Sequence, residues 1–221
     1  MSDESRGLIF SKTRLESLTD GVFAIIMTIL VFNISVPELI LFTEGEYASE
    51  RLSNRLLDLW PDLLAYIVSF VTLSVYWVAH HRIFRWIVNV DRSLVWINIS
   101  FLMTIGLIPF STHLLTQYRD QQISIFIYSF NSILAGLIVY SLYHHAKGNV
   151  ELVDERIHIF TRNMSGRRIL ATVLTYSIAI AFSFIYVPVS FFLFLLVLLP
   201  EFIPDRYFGK SVHSENKPPD E

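Results

Sequence analysis

The sequence predicts an all-α integral membrane protein of six transmembrane helices with both termini cytoplasmic. Three observations carry this. Of 221 residues 53% are hydrophobic and the mean hydropathy is +0.50, too apolar for a soluble domain of this length. The charged residues, 17% of the chain, are confined to the two ends and a few short islands. Between the islands run apolar stretches near the roughly 20 residues that a bilayer core of about 30 Å demands of a helix.

The six segments span residues 18–36, 61–79, 93–115, 123–143, 169–186 and 189–203. The first ends at Ser35-Val36-Pro37 without a small-x-small cleavage site, so it reads as a permanent helix rather than a signal peptide. Pro109 is expected to bend the third. Val187-Pro188 is all that separates the last two, which form a tight hairpin or one kinked unit. Residues 1–210 read as a single six-helix transmembrane domain without internal duplication, and the polar tail 211–221, with Pro218-Pro219, as disordered. Trp60, Trp77, Trp86, Trp96, Tyr118, Tyr143 and Tyr186 fall near helix ends, where interfacial anchoring is expected.

Orientation follows from the basic residues. Of 17 Lys and Arg, only Arg51, Arg55 and Arg119 fall on one side of the predicted topology. The remainder lie on the side of the two termini and the second-to-third and fourth-to-fifth loops, which places that side in the cytoplasm. Glu38, Glu44, Glu46, Glu50 and Asp58 make the first outer loop acidic; it is either a plain solvated loop or a collector of cations at an outer mouth.

Several function classes are excluded. A net charge of −3 argues against nucleic acid as a partner, and the absence of cysteine removes disulfides, thiolate metal sites and cysteine nucleophiles. No His-Glu-x-x-His, Gly-x-Ser-x-Gly or intrahelical carboxylate pair supports an intramembrane enzyme, so none is expected. No metal site is expected either, since adjacent helical histidines such as His80-His81 or His144-His145 cannot ligate one ion together.

The first helix is unusual. Its uncharged part, residues 21–36, is too short to span, so the helix must begin before Asp20, near Arg14. A charge at that depth costs about 2.5–3.5 kcal/mol unless it faces protein or water. Arg14 and Asp20 sit about 120° apart and some 9 Å apart along an ideal helix, too far to satisfy each other. Topology offers Trp77, His80 and His81 at the end of the second helix and Asn98 early in the third. The expected arrangement is a polar network joining Asp20 and Arg14 to one of the two histidines and to Asn98. Thr19-Asp20 also admits a plainer reading, as the N-cap of a helix starting at Gly21. Further along, with Ile25 as zero, Thr28, Ile29 and Phe32 lie at about −60°, +40° and −20° on an ideal wheel, and Gly21 shares their stripe. By pattern alone this stripe fits a helix-packing face better than a pore wall.

Arg14-x-x-x-Leu18-Thr19-Asp20-Gly21 closely resembles the Arg-x-x-x-Phe-Ser-Asp-Gly signature opening the first helix of the endolysosomal potassium-channel family and its prokaryotic relatives. Val22-Phe23-Ala24-Ile25, Trp77-x-x-His80-His81-Arg82-x-Phe84, Asn98 and Pro109-Phe110 continue the likeness, with Leu18 for Phe and Thr19 for Ser as departures. The resemblance implies a short prokaryotic member working as a homotetramer in the plasma membrane. Its central pore would be lined by helix one and would pass potassium with modest preference over sodium, without any cofactor. Ile25 would be the narrowest layer, Thr28 a hydroxyl layer, and Ile29 and Phe32 further lining. Arg14, Thr19, Asp20, Trp77, His80 or His81, and Asn98 would hold that helix in place rather than touch the ion. No Thr-Val-Gly-Tyr-Gly filter is present, so selection would rest on dehydration at an apolar ring. The rival reading is a proton channel or proton-coupled transporter using Asp20 and His80/His81. A non-conducting structural protein is the third.

Overall fold

The computed structural model describes residues 11–34, 56–153, 159–186, 190 and 192–198. The acidic outer loop, apart from Asp58, and the C-terminal tail therefore lie outside the described residues. The described part is helical throughout apart from one isolated bridge. Among the described residues, four spans are long and apolar enough to cross a membrane: Lys12–Asn33, Trp60–Phe84, Arg92–Gln117 and Gln122–Gly148.

Helix α1 (Lys12–Ile29) begins well before Asp20 and tightens into a 3-10 turn over Leu30–Asn33. Thr19 and Asp20 are thus interior residues, not a cap. Helix α2 (Trp60–Phe84) starts with Pro61 in its first turn, where a missing N–H costs nothing, and ends with His81 and Arg82 in its last. The third predicted segment is a broken rod. Helix α3 (Arg92–Ile105) is capped by the Asp91 carboxylate, which accepts from the Leu94 N–H at 2.8 Å. It stops before Gly106, and α4 (Ile108–Gln117) resumes with Pro109 in its first turn. The expected bend is a full interruption of two residues, because proline removes the donor for one rung of the ladder and clashes with the preceding turn.

Helix α5 (Gln122–Gly148) is the axle of the bundle, packing against α2, α3, α4 and α6 (Ile159–Ser183). The fifth predicted segment is longer than expected, since α6 starts at Ile159 and takes Arg162, Arg167 and Arg168 into its first half. Of the sixth segment, only residues 190 and 192–198 are described, with a 3-10 turn over Phe194–Leu198.

In lipid there is no hydrophobic force between apolar helices, so close packing and interhelical hydrogen bonds must hold them together. The middle of this bundle supplies both. Ser69 of α2 meets Thr112 of α4 at 2.7 Å and donates to the Tyr128 hydroxyl of α5 at 3.2 Å. Thr72, one turn on, joins Tyr128 at 3.3 Å and the Tyr176 hydroxyl of α6. The Tyr76 hydroxyl donates to the Ser132 carbonyl. Two of the residues expected to anchor in the membrane interface are buried within the protein instead: Trp86 is 2% exposed and stacks edge-on against Tyr143, 5% exposed, at 5.8 Å. They pin the α2–α3 loop to α5 at the basic end. That end is also tied by His145 to Asp91 (2.8 Å) and by Val88 N–H to the Leu152 carbonyl (2.8 Å).

Gly136 of α5 marks the closest approach in this core. A Cβ there would lie 2.6 Å from Val173 Cγ2 of α6 and 3.4 Å from the Tyr76 hydroxyl, whereas one on Gly148 would meet nothing within 4 Å. Gly136→Ala is therefore expected to destabilise the protein by about 1–3 kcal/mol. Gly148→Ala should be within about 0.5 kcal/mol of neutral. Thermal unfolding of the detergent-solubilised variants, followed by the surviving monodisperse fraction, checks both; equal melting temperatures would contradict the packing described.

Candidate functional site

The candidate site is α1, and its two faces are chemically distinct. Leu15, Thr19, Phe23, Ile26, Leu30 and Asn33 recur every three or four residues and are buried against the bundle. Phe23 packs on Phe101 of α3 with ring centroids 5.9 Å apart, and Phe101 in turn lies 6.3 Å edge-on from Tyr76 of α2. The opposite stripe carries Arg14, Leu18, Gly21, Ile25, Thr28, Ile29 and Phe32, all exposed. Ile25 is 60% exposed, Ile29 43% and Phe32 80%. Among the described residues, nothing approaches within 4 Å of a Cβ placed on Gly21.

Thr28 does not spend its hydroxyl proton on the exterior. Its Oγ1 donates to the Ile25 carbonyl at 2.8 Å, with the Ala24 carbonyl at 3.1 Å, which leaves oxygen lone pairs facing outward among aliphatic neighbours.

Near the basic end of α1, the polar residues separate into two groups. The buried group is a directional chain. Thr19 donates to the Leu15 carbonyl at 3.0 Å and accepts from Asn98 Nδ2 at 3.2 Å. With that amide nitrogen committed, Asn98 Oδ1 is the acceptor facing His80 Nε2 at 2.8 Å, so the histidine carries its proton on Nε2. The His80 ring is clasped between Phe84 (4.2 Å) and Phe101 (5.8 Å), both nearly parallel to it. The chain runs from α2 through α3 to α1 and ends on a backbone carbonyl.

The second group is exposed. Trp77 Nε1 donates to Asp20 Oδ1 at 2.8 Å, and His81 stacks on the Trp77 indole at 5.5 Å. His80, not His81, is thus the histidine joined to Asn98. Asp20 and His80 have different partners, and Arg14 reaches neither: it is exposed and pairs with none of the described residues. A cleft of about 300 Å³ lies between the two groups, lined by Thr13, Glu16, Asp20, His80, His81 and Phe84. Among the described residues no three histidines or carboxylates cluster as they would around a metal ion.

Sequence reasoning passed over Asn33, which closes the other end of α1. Its Nδ2 donates to the Pro109 carbonyl, at the start of α4, at 3.1 Å. The available signal was an amide inside an apolar run, where a polar side chain needs a partner.

Comparison with known proteins gives these side chains a context. Residues 14–109 match the family model described as endosomal/lysosomal potassium channel TMEM175. A potassium channel of Chryseobacterium sp. (strain P1-3) is 30% identical over 91% of this chain and 98% of its own length. The human endosomal/lysosomal proton channel TMEM175 is 25% identical over 91% of this chain, which spans 40% of that longer protein. Among solved structures, that of a lysosomal potassium-selective channel TMEM175 homolog from Chamaesiphon minutus matches with a TM-score of 0.71 at 29% identity, over 86% of this chain and 96% of the other.

The buried chain makes a quantitative expectation. Asn98→Leu keeps the size but strands the His80 N–H and removes the donor to Thr19, and should cost about 1–3 kcal/mol. Trp77→Phe loses a bond to an exposed carboxylate and should cost under about 1 kcal/mol. Melting curves in detergent rank the two; a larger loss for Trp77→Phe would reverse the assignment of the buried chain as the main tie.

Proposed function

Because this chain belongs to the TMEM175 family of cation channels, a multi-pass membrane family, we propose that it is a potassium channel with a modest preference for potassium over sodium, its pore lined by the exposed stripe of α1. The observation that carries this reading is the stripe itself: four large apolar side chains, one hydroxyl, a glycine and, near the start of the helix, Arg14, all turned away from the subunit's own core. A lipid-facing helix tolerates such a surface, but not Asp20 eight residues, about 12 Å, into the helix. Asp20 lies about 140° round the helix from Ile25, off that stripe, yet its exposed carboxylate is charge at depth and calls for water or a neighbouring subunit beside α1.

On this reading six helices per chain, with both termini in the cytoplasm, assemble as a homotetramer in the plasma membrane. One α1 from each subunit surrounds a central axis. Ile25 forms the narrowest ring, Thr28 offers oxygen lone pairs beside it, and Ile29 and Phe32 continue the wall outward. Selection at such a ring is by dehydration: potassium, the more weakly hydrated cation, sheds water more readily than sodium. Four isoleucines also make a natural dewetting gate, closed when the constriction empties of water. Thr19, Trp77, His80 and Asn98 fix the depth and rotation of α1 without touching the ion.

Proton permeation is the second reading, favoured by the acidic Asp20 near the inner mouth and by the activity named for the human relative. No direct hydrogen bond joins Asp20 to His80: the first accepts from the Trp77 indole and the second donates to the Asn98 carboxamide, so a relay between them would run through the cleft that both line.

The test is ion flux from liposomes holding the purified protein, under potassium, sodium and proton gradients in turn. Potassium flux should exceed sodium flux, and Ile25→Ala should raise the sodium leak about tenfold or more by widening the apolar ring. Flux of no ion from a folded oligomer would overturn the channel reading. Proton flux alone would replace it with the second.

A further inference from the structure

Helices α3 and α4 form one membrane-crossing rod interrupted at Gly106 and Leu107, and an uninterrupted helix would pair the Ile108 N–H with the Thr104 carbonyl. The side chain of Asn131, from α5, occupies that rung. In the orientation that satisfies both ends of its amide, Nδ2 donates to the Thr104 carbonyl at 3.2 Å and Oδ1 accepts from the Ile108 N–H at 3.3 Å. The carboxamide is thus inserted between the two backbone groups that would otherwise meet. Pro109 has no N–H to offer the Ile105 carbonyl, so the rod is weakened at this point from two directions.

The next residue connects the break to α1. The Pro109 carbonyl accepts from Asn33 Nδ2 at 3.1 Å, at the end of the 3-10 turn that completes α1. Asn33 is 9% exposed and Asn131 7%, so each is a buried amide in an apolar stretch, and each spends its donors on backbone at one break. Phe32, the outermost residue of the exposed stripe, is bonded directly to Asn33. The position of the break therefore sets where Phe32 and the last turn of α1 lie.

We propose that Asn131 and Asn33 are positioning residues for the ion path: Asn131 wedges the α3–α4 rod open, and Asn33 hangs the outer end of α1 from the displaced start of α4. The inference rests on the reading of α1 as the pore helix. Closing the rod, or releasing Asn33, lets the outer turn of α1 move and changes conductance at Ile29 and Phe32 without altering the Ile25 ring.

The chain has no cysteine, so a single nitroxide at Val31→Cys, on the same turn but off the stripe, reports the spacing of the outer ends of α1 between subunits. Asn131→Leu and Asn33→Leu are compared singly and together, in this label and in potassium flux normalised to folded oligomer. Each single change should shift the label distances in one direction and alter flux about threefold or more, with the potassium-to-sodium ratio kept. The double variant should add little to the larger single effect, since both act on one element. A merely structural role would lower yield and melting temperature but leave distances and flux of the folded fraction at wild-type values; that result, or additive effects, overturns the proposal. If Asn131→Leu does not assemble, Asn33→Ala with the same two readouts decides it. A wild-type protein that passes no ion fails the channel reading instead, while the label distances still decide whether the two amides position α1.

Discussion

Inside a bilayer a buried polar group has no water to fall back on, and apolar side chains gain nothing by leaving lipid for one another. The architecture here follows from that constraint. What keeps these helices in register is a set of mutually satisfied polar groups at successive depths. Asp91 and His145 tie the basic end, and Thr19, Asn98 and His80 join three helices one level further in. Ser69, Thr72, Thr112, Tyr128 and Tyr176 knit the middle. Each group is directional, so together they fix rotation and height, which dispersion alone leaves loose.

Helix α1 shows what that precision serves. It is held along one stripe by Phe23, Ile26 and Leu30 packing on α2 and α3, and by a side-chain amide near each end. Its other stripe is exposed and meets no partner among the described residues. A helix anchored along one side and bare along the other has its rotation set by the anchors, and a rotation of one residue, about 100°, would carry Ile25 away from the face it now occupies. Among the signature residues, Thr19, Asp20, Trp77 and His80 make bonds that join α1 to its neighbours, which on the proposed reading is a mounting for the pore helix.

The interruption between α3 and α4 follows the same logic from the opposite side. Irregular backbone at membrane depth is tolerated only where protein satisfies it. Two asparagines from different helices do so here, and the same bonds that make the break affordable also join it to the end of α1.

Much of this was legible in the residues. Apolar runs of bilayer length follow from composition, and the early start of α1 follows from the shortness of its uncharged part. Spacing alone placed Ile25, Thr28, Ile29 and Phe32 on one stripe, because helical periodicity is a local property of the backbone. Pro109 announced a disturbance in the third helix. Pattern alone favoured a helix-packing face for that stripe, whereas it is exposed on the subunit; the sequence was silent on which histidine meets Asn98 and on the partners of Asn33 and Asn131. It also set Trp86 and Tyr143 against lipid headgroups, from their nearness to helix ends, whereas both rings are buried within the protein. These points share one cause. Periodicity and hydropathy are written in residues close together in the chain, whereas the choice between two faces of a helix, or two neighbouring imidazoles, is made by residues some twenty to a hundred positions away, once packing brings them within 3 Å.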